Sequence, residues 1–331
     1  MLAPMAEISH RALRELIHSF MEPALQLNVV YFSEMISAPG LLAGGPFEKY
    51  YIDNGPCPRQ LVYQLVGAET DHLVKAAALL DEQECLGINI NMGCSAPAIT
   101  RTGAGVRWME DSDRAAGLIE QIRRVTRKQL SVKIRLGSNI RGNKERKSEA
   151  GEWWIDPLLR FCRSLEAAGL DLIILHPRLA AEKFKRKVRW VTVEVLRKEL
   201  SIPVAGNGDI DSVEELACKA VAGPVMAGRL LVREPWAFAA VAKTGTLIVN
   251  REETGLHFLK LLAQYQPPEF HLSRARHFFR YYCDNVIWAE YLRNNISRET
   301  SLAGIERVWQ EYFKEKLPMS SLTGHRLQVI G

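Results

Sequence analysis

What constrains this chain most is an alternation. Eight short apolar, β-branched runs, at residues 2–5, 27–35, 61–66, 86–91, 130–136, 170–176, 202–206 and 224–227, read as strands. Amphipathic stretches at 9–20, 70–84, 111–128, 156–168, 191–199, 212–220 and 235–243 read as helices. Ser9, Thr70, Asp111 and Asp211 suit N-cap positions, Pro157 and Pro235 suit a first helical turn, and Gly169 and Gly223 sit where helices should stop. Strands alternating with helices give a parallel sheet covered by helices. Eight of them within about 245 residues match the size of a (β/α)8 TIM barrel. An open doubly wound sheet shares the alternation. The eightfold count, and the absence of a GxGxxG loop after the first strand, favour the barrel within the α/β class.

The pattern ends near residue 245. Beyond it no strand run occurs, and 257–265, 272–293 and 301–315 read as helices, separated by Pro267-Pro268 and by residues 296–299. The expected organisation is a catalytic barrel over 1–245, a small all-helical domain over 250–318 and a tail over 319–331. An apolar content of 47% with 24% charged residues excludes wholesale disorder. No apolar run is long enough to span a membrane, and no basic, then apolar, leader opens the chain. The six cysteines are scattered with no CxxC pair, which speaks against a disulfide scaffold or a zinc site and for reduced thiols in a cytoplasm. A net charge of +5 permits a polyanionic partner without requiring one.

Barrels of this type carry their chemistry at the C-terminal ends of the strands. The expected strand ends present Pro4 and Met5, Glu34 and Met35, Gln64, Asn91 with Cys94 just beyond, Lys133 and Arg135, His176 and Arg178, Asn207-Gly208-Asp209, and Gly228-Arg229. Any one of these could be a rim residue. Together they are too polar for barrel filling, which is mostly branched and apolar. The glycines after the last two strands let backbone N–H groups approach an anion, at the position where barrels hold phosphate, and Arg229 adds charge. Lys133 suits a place against the electron-rich end of a reduced ring cofactor. With Gln64 these groups suit a phosphorylated flavin such as FMN; a phosphosugar would meet the same groups. Cys94 could be a small buried residue, a metal ligand, a nucleophile or a proton donor, and no metal partners lie at suitable spacing.

The segments LAPM, SEMISA, QLVG, INMGC, VKIRLG, LHPR, IPVAGNGDI and VMAGR followed by EPWAF run in this order over residues 2–238. This set resembles the tRNA-dihydrouridine synthases, FMN-dependent reductases of uridine in RNA, and INMGC and GNGDI look most like their broad bacterial branch. The resemblance implies that Ala3, Pro4 and Met5 line the flavin, with Gln64, Lys133 and His176 around its ring and ribityl chain. It places Asn207, Gly208, Asp209, Gly228 and Arg229 at the phosphate end and makes Cys94 the proton donor. Asn91 and Arg178, with Arg135 and Lys185, fall on the substrate side. It further implies NADPH as reductant, tRNA as partner and an RNA-binding role for the C-terminal helices. The chain departs from the family pattern at Ser95, where proline is usual, at Arg107-Trp108, and at Pro177, which follows His176.

The implied chemistry explains the thiol. Reducing the C5=C6 bond of uracil takes a hydride at C6 and a proton at C5, the proton arriving opposite the flavin. A thiol, ordinarily with a pKa of about 8.5, is protonated at neutral pH and gives up its proton quickly. The base must leave its stack to lie flat on the flavin. Basic stretches at 141–147 and 182–189 suit phosphate contacts, and RARHFFRYY (274–282) mixes basic and aromatic residues, as either an RNA-facing helix or a core helix would. Two other readings stay open: an FMN-dependent reductase or dehydrogenase of a free pyrimidine, akin to dihydroorotate enzymes, and an RNA-binding protein without catalysis.

Overall fold

The computed structural model describes residues 1–22, 29–137, 154–183, 185–242 and 247–316. At its centre is a parallel sheet whose spatial order follows chain order: β1 (Tyr31–Ser37), β2 (Leu61–Val66), β3 (Gly87–Met92), β4 (Gln129–Ile134), β5 (Leu172–Leu175), β6 (Val204–Asn207) and β7 (Val225–Met226). A doubly wound sheet reverses its strand order midway; this one does not. Residues 1–3 fill the eighth place. The Leu2 N–H donates to the Val30 carbonyl at 2.8 Å, just ahead of β1, and the Ala3 N–H donates to the Ala227 carbonyl at 2.8 Å, just past β7. Leu2 pairs with Ala227 in parallel, so the two sheet edges meet on the N-terminal segment and the sheet closes as a TIM barrel.

Several expected boundaries shift. The strand expected at 2–5 shrinks to the Leu2 bridge, because Pro4 has no N–H to continue the ladder. The strand expected at 27–35 runs Tyr31–Ser37, and residues 23–28 lie outside the described ones. Ser212, not Asp211, caps the helix Val213–Val221 by accepting from Glu215 N–H, whereas Asp111 caps Ser112–Val125 as expected. The helix expected over 272–293 is two, Pro268–Tyr282 and Ala289–Arg298, because Trp288 adopts the left-handed conformation (φ 57°, ψ 34°) that ends a right-handed run.

Side chains alternate between the two faces of each strand, and this sorts the barrel interior into layers. Ala3, Phe32, Val62, Leu172, Ile174, Ala205 and Met226 form an apolar cluster distinct from the larger core outside the sheet. Two residues onward from members of that layer stand Gln64 (after Val62), His176 (after Ile174) and Asn207 (after Ala205), nearer the mouth. On β3 and β4 the interior positions are polar throughout. Gln64 Nε2 donates to Asn89 Oδ1 at 2.7 Å, and Asn89 Nδ2 donates to Ser131 Oγ at 2.9 Å, across strands paired Gln64–Asn89–Ser131. These buried groups satisfy one another, which offsets the cost of removing them from water.

The helices Arg251–Tyr265, Pro268–Tyr282, Ala289–Arg298 and Leu302–Lys316 follow the barrel, and the first packs along the barrel helix Arg11–Ser19. Their core is aromatic. Phe258 stacks on Phe278 at 3.7 Å between ring centroids, and Phe278 stacks on Tyr282 at 4.8 Å. This settles the RARHFFRYY stretch for Phe278, Phe279 and Tyr282, which are core residues and not an RNA-facing set. Arg274 is buried too. Its guanidinium pairs with Glu34 of β1 at 3.0 Å, each side chain 2% exposed, so a buried ion pair ties the helical segment to the barrel.

Candidate active site

One cavity of about 470 Å³ opens at the C-terminal ends of the strands, within the usual range for a cofactor site. Its wall collects Ala3, Pro4, Met5, Gln64, Asn91, Cys94, Lys133, Arg135, His176, Arg178, Asn207, Gly208, Asp209, Gly228 and Arg229. Residues as far apart in sequence as 3 and 229 thus converge. Of the residues expected from the sequence, Lys185 and Glu34 lie elsewhere: Lys185 is exposed, on the loop beyond Arg178, and Glu34 is buried against Arg274. Met35, read from the sequence as a strand end, is in the wall, while Ile8 and Tyr281 are wall residues that sequence reasoning missed. Met35 is brought in by a register shift in β1 between Phe32 and Met35, which moves the inward position by one residue. Tyr281 comes from the helix Pro268–Tyr282 and extends the wall beyond the barrel.

The Cys94 loop is fixed from three sides. Asn91 Oδ1 accepts from the Gly93 and Cys94 N–H groups at 3.2 and 2.9 Å. Arg135 Nε donates to the Gly93 carbonyl at 2.9 Å, and the Val106 N–H donates to the Cys94 carbonyl at 2.9 Å. Gly105, at φ +64°, passes so close that an added Cβ would lie 2.4 Å from that carbonyl. Trp108 is buried and donates its indole N–H to the Gly67 carbonyl at 2.8 Å, so the Arg107-Trp108 departure anchors this loop. Asn91 Nδ2 also donates to Gln64 Oε1 at 2.9 Å and lies 3.2 Å from Met35 Sδ. Asn91 and Arg135, expected on the substrate side, line the cavity and also hold the loop that carries the thiol.

Beyond β5, Arg178 donates to both carboxylate oxygens of Asp209 at 2.7 Å and through Nη1 to His176 Nε2 at 3.1 Å. Because an arginine can only donate, His176 Nε2 is an acceptor and its ring proton sits on Nδ1. Burial first, then the charges of Lys133, Arg135, Arg178 and Arg229, push the His176 pKa far down, so the ring is neutral. Asp209 was expected at the phosphate end, but its carboxylate is taken up by Arg178 and the Val188 N–H, with Arg229 3.8 Å away. What Asp209 offers an anion is the placement of two arginines.

Lys133 has no hydrogen-bond or ion-pair partner among the described residues, yet it lies on the cavity wall. Burial, and secondly Arg135, lower its pKa from 10.5 to about 7, with Cys94 acting the other way. That mutual influence places the thiol and the amine in one electrostatic neighbourhood. An unpaired, desolvated amine is a site for a negative charge. The chain's own residues therefore fit a flavin phosphate. Gly208 adopts φ +113°, and a Cβ there would meet the His176 ring at 2.8 Å and Val188 at 2.8 Å; at Gly228 it would meet Met5 Sδ at 3.2 Å. The two turns stay bare of side chains, leaving backbone and Arg229 to face an anion, while Ala3, Pro4, Met5 and Met35 give an apolar wall for a flat ring.

The family profile described as dihydrouridine synthase (Dus) matches residues 1–315. The chain belongs to the dihydrouridine synthase family. Among curated relatives, a probable tRNA-dihydrouridine synthase of Helicobacter pylori is 24% identical over 330 residues, spanning 97% of this chain and 94% of the relative. Another of that description from Aquifex aeolicus is 26% identical over 279 residues, covering 81% of each chain. The tRNA-dihydrouridine synthase B of Xanthomonas campestris is 27% identical over 257 residues, covering 75% of this chain and 70% of the relative. In this synthase the cysteine loop, the mouth lysine and the glycine turns share one cavity.

Proposed function

We propose that this synthase reduces uridines of tRNA to 5,6-dihydrouridine, with FMN held in the cavity and NADPH as the reductant, in the cytoplasm. The observation that supports this most is the convergence of Cys94 and Lys133 on one cavity that also carries the two glycine turns. Bound flavin, once reduced, supplies a hydride to C6 of the base. Ala3, Pro4 and Met5, on the cavity wall, would hold its ring, and Gly208, Gly228 and Arg229 would hold its phosphate. Lys133 presents a cation to the charge that reduction leaves on the ring. Cys94 gives a proton to C5 from the loop fixed by Asn91 and Arg135, and the thiolate recovers a proton from solvent. The hydride and the proton together saturate the C5=C6 bond.

RNA phosphates meet exposed Lys183, Lys185, Arg186 and Lys187 beyond the rim. In the same loop Arg189 is neutralised by a two-point pair with Glu182 at 2.6 and 2.8 Å, so it is not counted among them. The expected basic stretch at 141–147 lies outside the described residues. The test is NADPH oxidation by the purified protein in the presence of unmodified tRNA, free uridine or dihydroorotate. Oxidation that depends on tRNA supports the proposal; turnover confined to a free pyrimidine contradicts it.

Lys133 makes a separate expectation about pH. Its folded pKa of about 7 lies below the unfolded value of 10.5, so between these values the unfolded chain binds more protons. Flavin-free protein is therefore expected to become more stable as pH rises from 7 towards 10, and Lys133→Met to lack that contribution. Urea denaturation of both proteins across this range checks it, and parallel curves would contradict it.

A further inference from the structure

Ser33 and Glu34 stand opposite a single residue of β2. Phe32 pairs with Val62 and Met35 with Gln64, so two residues of β1 face Tyr63 alone. This is a β-bulge, and bulges re-aim side chains. The Ser33 hydroxyl bridges it, accepting from the Gln64 N–H at 3.0 Å and donating to the Glu34 carbonyl at 2.8 Å. Beyond the bulge Met35 lies in the cavity wall, while Glu34 is buried against the helical segment.

A buried carboxylate is costly unless its oxygens find partners. Glu34 gives its two oxygens to two different elements. Oε2 lies 3.0 Å from Arg274 Nη2 on the helix Pro268–Tyr282. Oε1 accepts from the Glu7 N–H at 2.6 Å. Glu7 sits in a turn that closes on itself at its ends. There the Met5 carbonyl accepts from the Ile8 and Ser9 N–H groups at 3.1 and 3.0 Å, and Ser9 Oγ accepts from the Met5 N–H at 2.9 Å. In its middle Glu7 has φ 60°, a conformation uncommon outside glycine that persists where the surroundings impose it. The helical segment meets the turn a second time, with His277 Nδ1 3.2 Å from Glu7 Oε2. Arg274, His277 and Tyr281 are spaced three and then four apart, so they share one face of their helix. The first reaches Glu34, the second Glu7 and the third the cavity wall. The turn gripped in this way carries two wall residues, Met5 and Ile8.

We propose that Glu34 is a positioning residue for the cofactor: anchored by Arg274, its carboxylate fixes the turn from Met5 to Ser9, and with it the wall against which a flat ring lies. The identity of the ring rests on the flavin reading above, and the experiment keeps the two apart. Glu34→Met/Arg274→Leu removes both charges and the acceptor of the Glu7 N–H. Glu34→Gln/Arg274→Leu removes both charges and keeps an oxygen for that N–H. Each is compared with wild type for hydrogen exchange in the peptide spanning residues 5–9, for FMN affinity by fluorescence quenching, and for urea denaturation. In Glu34→Met/Arg274→Leu the peptide is expected to exchange faster, and the Kd for FMN to rise about tenfold, the effect of one lost hydrogen bond to a charged group. Glu34→Gln/Arg274→Leu is expected to behave nearly as wild type in both, although it lacks the ion pair as well. Equal weakening in the two variants would overturn the proposal, since the ion pair and not the acceptor would then matter. So would wild-type exchange of the turn, or wild-type FMN affinity, in Glu34→Met/Arg274→Leu. A wild type that binds no FMN would count against the flavin reading, and exchange of the turn would then decide the role of Glu34 by itself.

Discussion

Cys94→Ala is expected to keep its flavin and to lose tRNA reduction by about 10²–10⁴-fold, the usual contribution of a positioned proton donor. The two halves of this expectation have separate structural causes. The flavin contacts proposed here come from the N-terminal segment, Lys133 and the two glycine turns, none of which the thiol supports. The loop itself is held through backbone groups, by Asn91 Oδ1, Arg135 Nε and the Val106 N–H, so removing the sulfur leaves it in place. Reduction of the bound flavin by NADPH is expected to proceed at the wild-type rate, while its reoxidation by tRNA slows. Stopped-flow absorbance separates these half-reactions. Near-normal reoxidation in Cys94→Ala would remove the thiol from the mechanism.

Arg274→Leu carries the second large effect. Burial raises the Glu34 pKa and Arg274 is the strongest influence opposing that rise. Without the guanidinium, Glu34 is an unpaired carboxylate with 2% exposure, whose other oxygen accepts from the Glu7 N–H at 2.6 Å. Breaking a buried pair in this way costs about 3–5 kcal/mol. Replacing both partners by apolar residues of similar size is expected to recover most of the loss, because no buried charge remains. Urea denaturation of Arg274→Leu, Glu34→Met and the double variant measures this directly. Equal loss in the single and double variants would show that packing, not charge, holds the helical segment to the barrel.

The strand ends were legible because alternation leaves few choices. Once residues 130–136 are a strand with Ser131 inward, Lys133 faces the mouth, and the same count places Gln64, His176 and Asn207. The two glycine turns were legible because position on a barrel assigns them. Other features depend on geometry with no local signature. The register shift in β1 carries no proline or glycine to mark it, so the sequence offered Glu34 and Met35 together without showing that Met35 is the one in the wall. The Glu34–Arg274 pair spans 240 positions, and nothing near either residue announces the other. Residues 274–282 read as amphipathic, but a composition shared by core and RNA-facing helices could not tell that Tyr281 alone turns to the cavity while Phe278, Phe279 and Tyr282 stack inward. The hold of Asn91 and Arg135 on the Cys94 loop was not legible either, because hydrogen bonds from a side chain to a loop backbone appear only once the loop is folded.

The most direct test of the account is the mass of each nucleoside released from an unmodified tRNA transcript after incubation with the flavin-loaded protein and NADPH. The account predicts a uridine heavier by two hydrogens, formed about 10²–10⁴-fold more slowly when Cys94→Ala replaces the wild type. Uridines that all remain unchanged, in a protein that binds flavin and oxidises NADPH against a free pyrimidine, would contradict it.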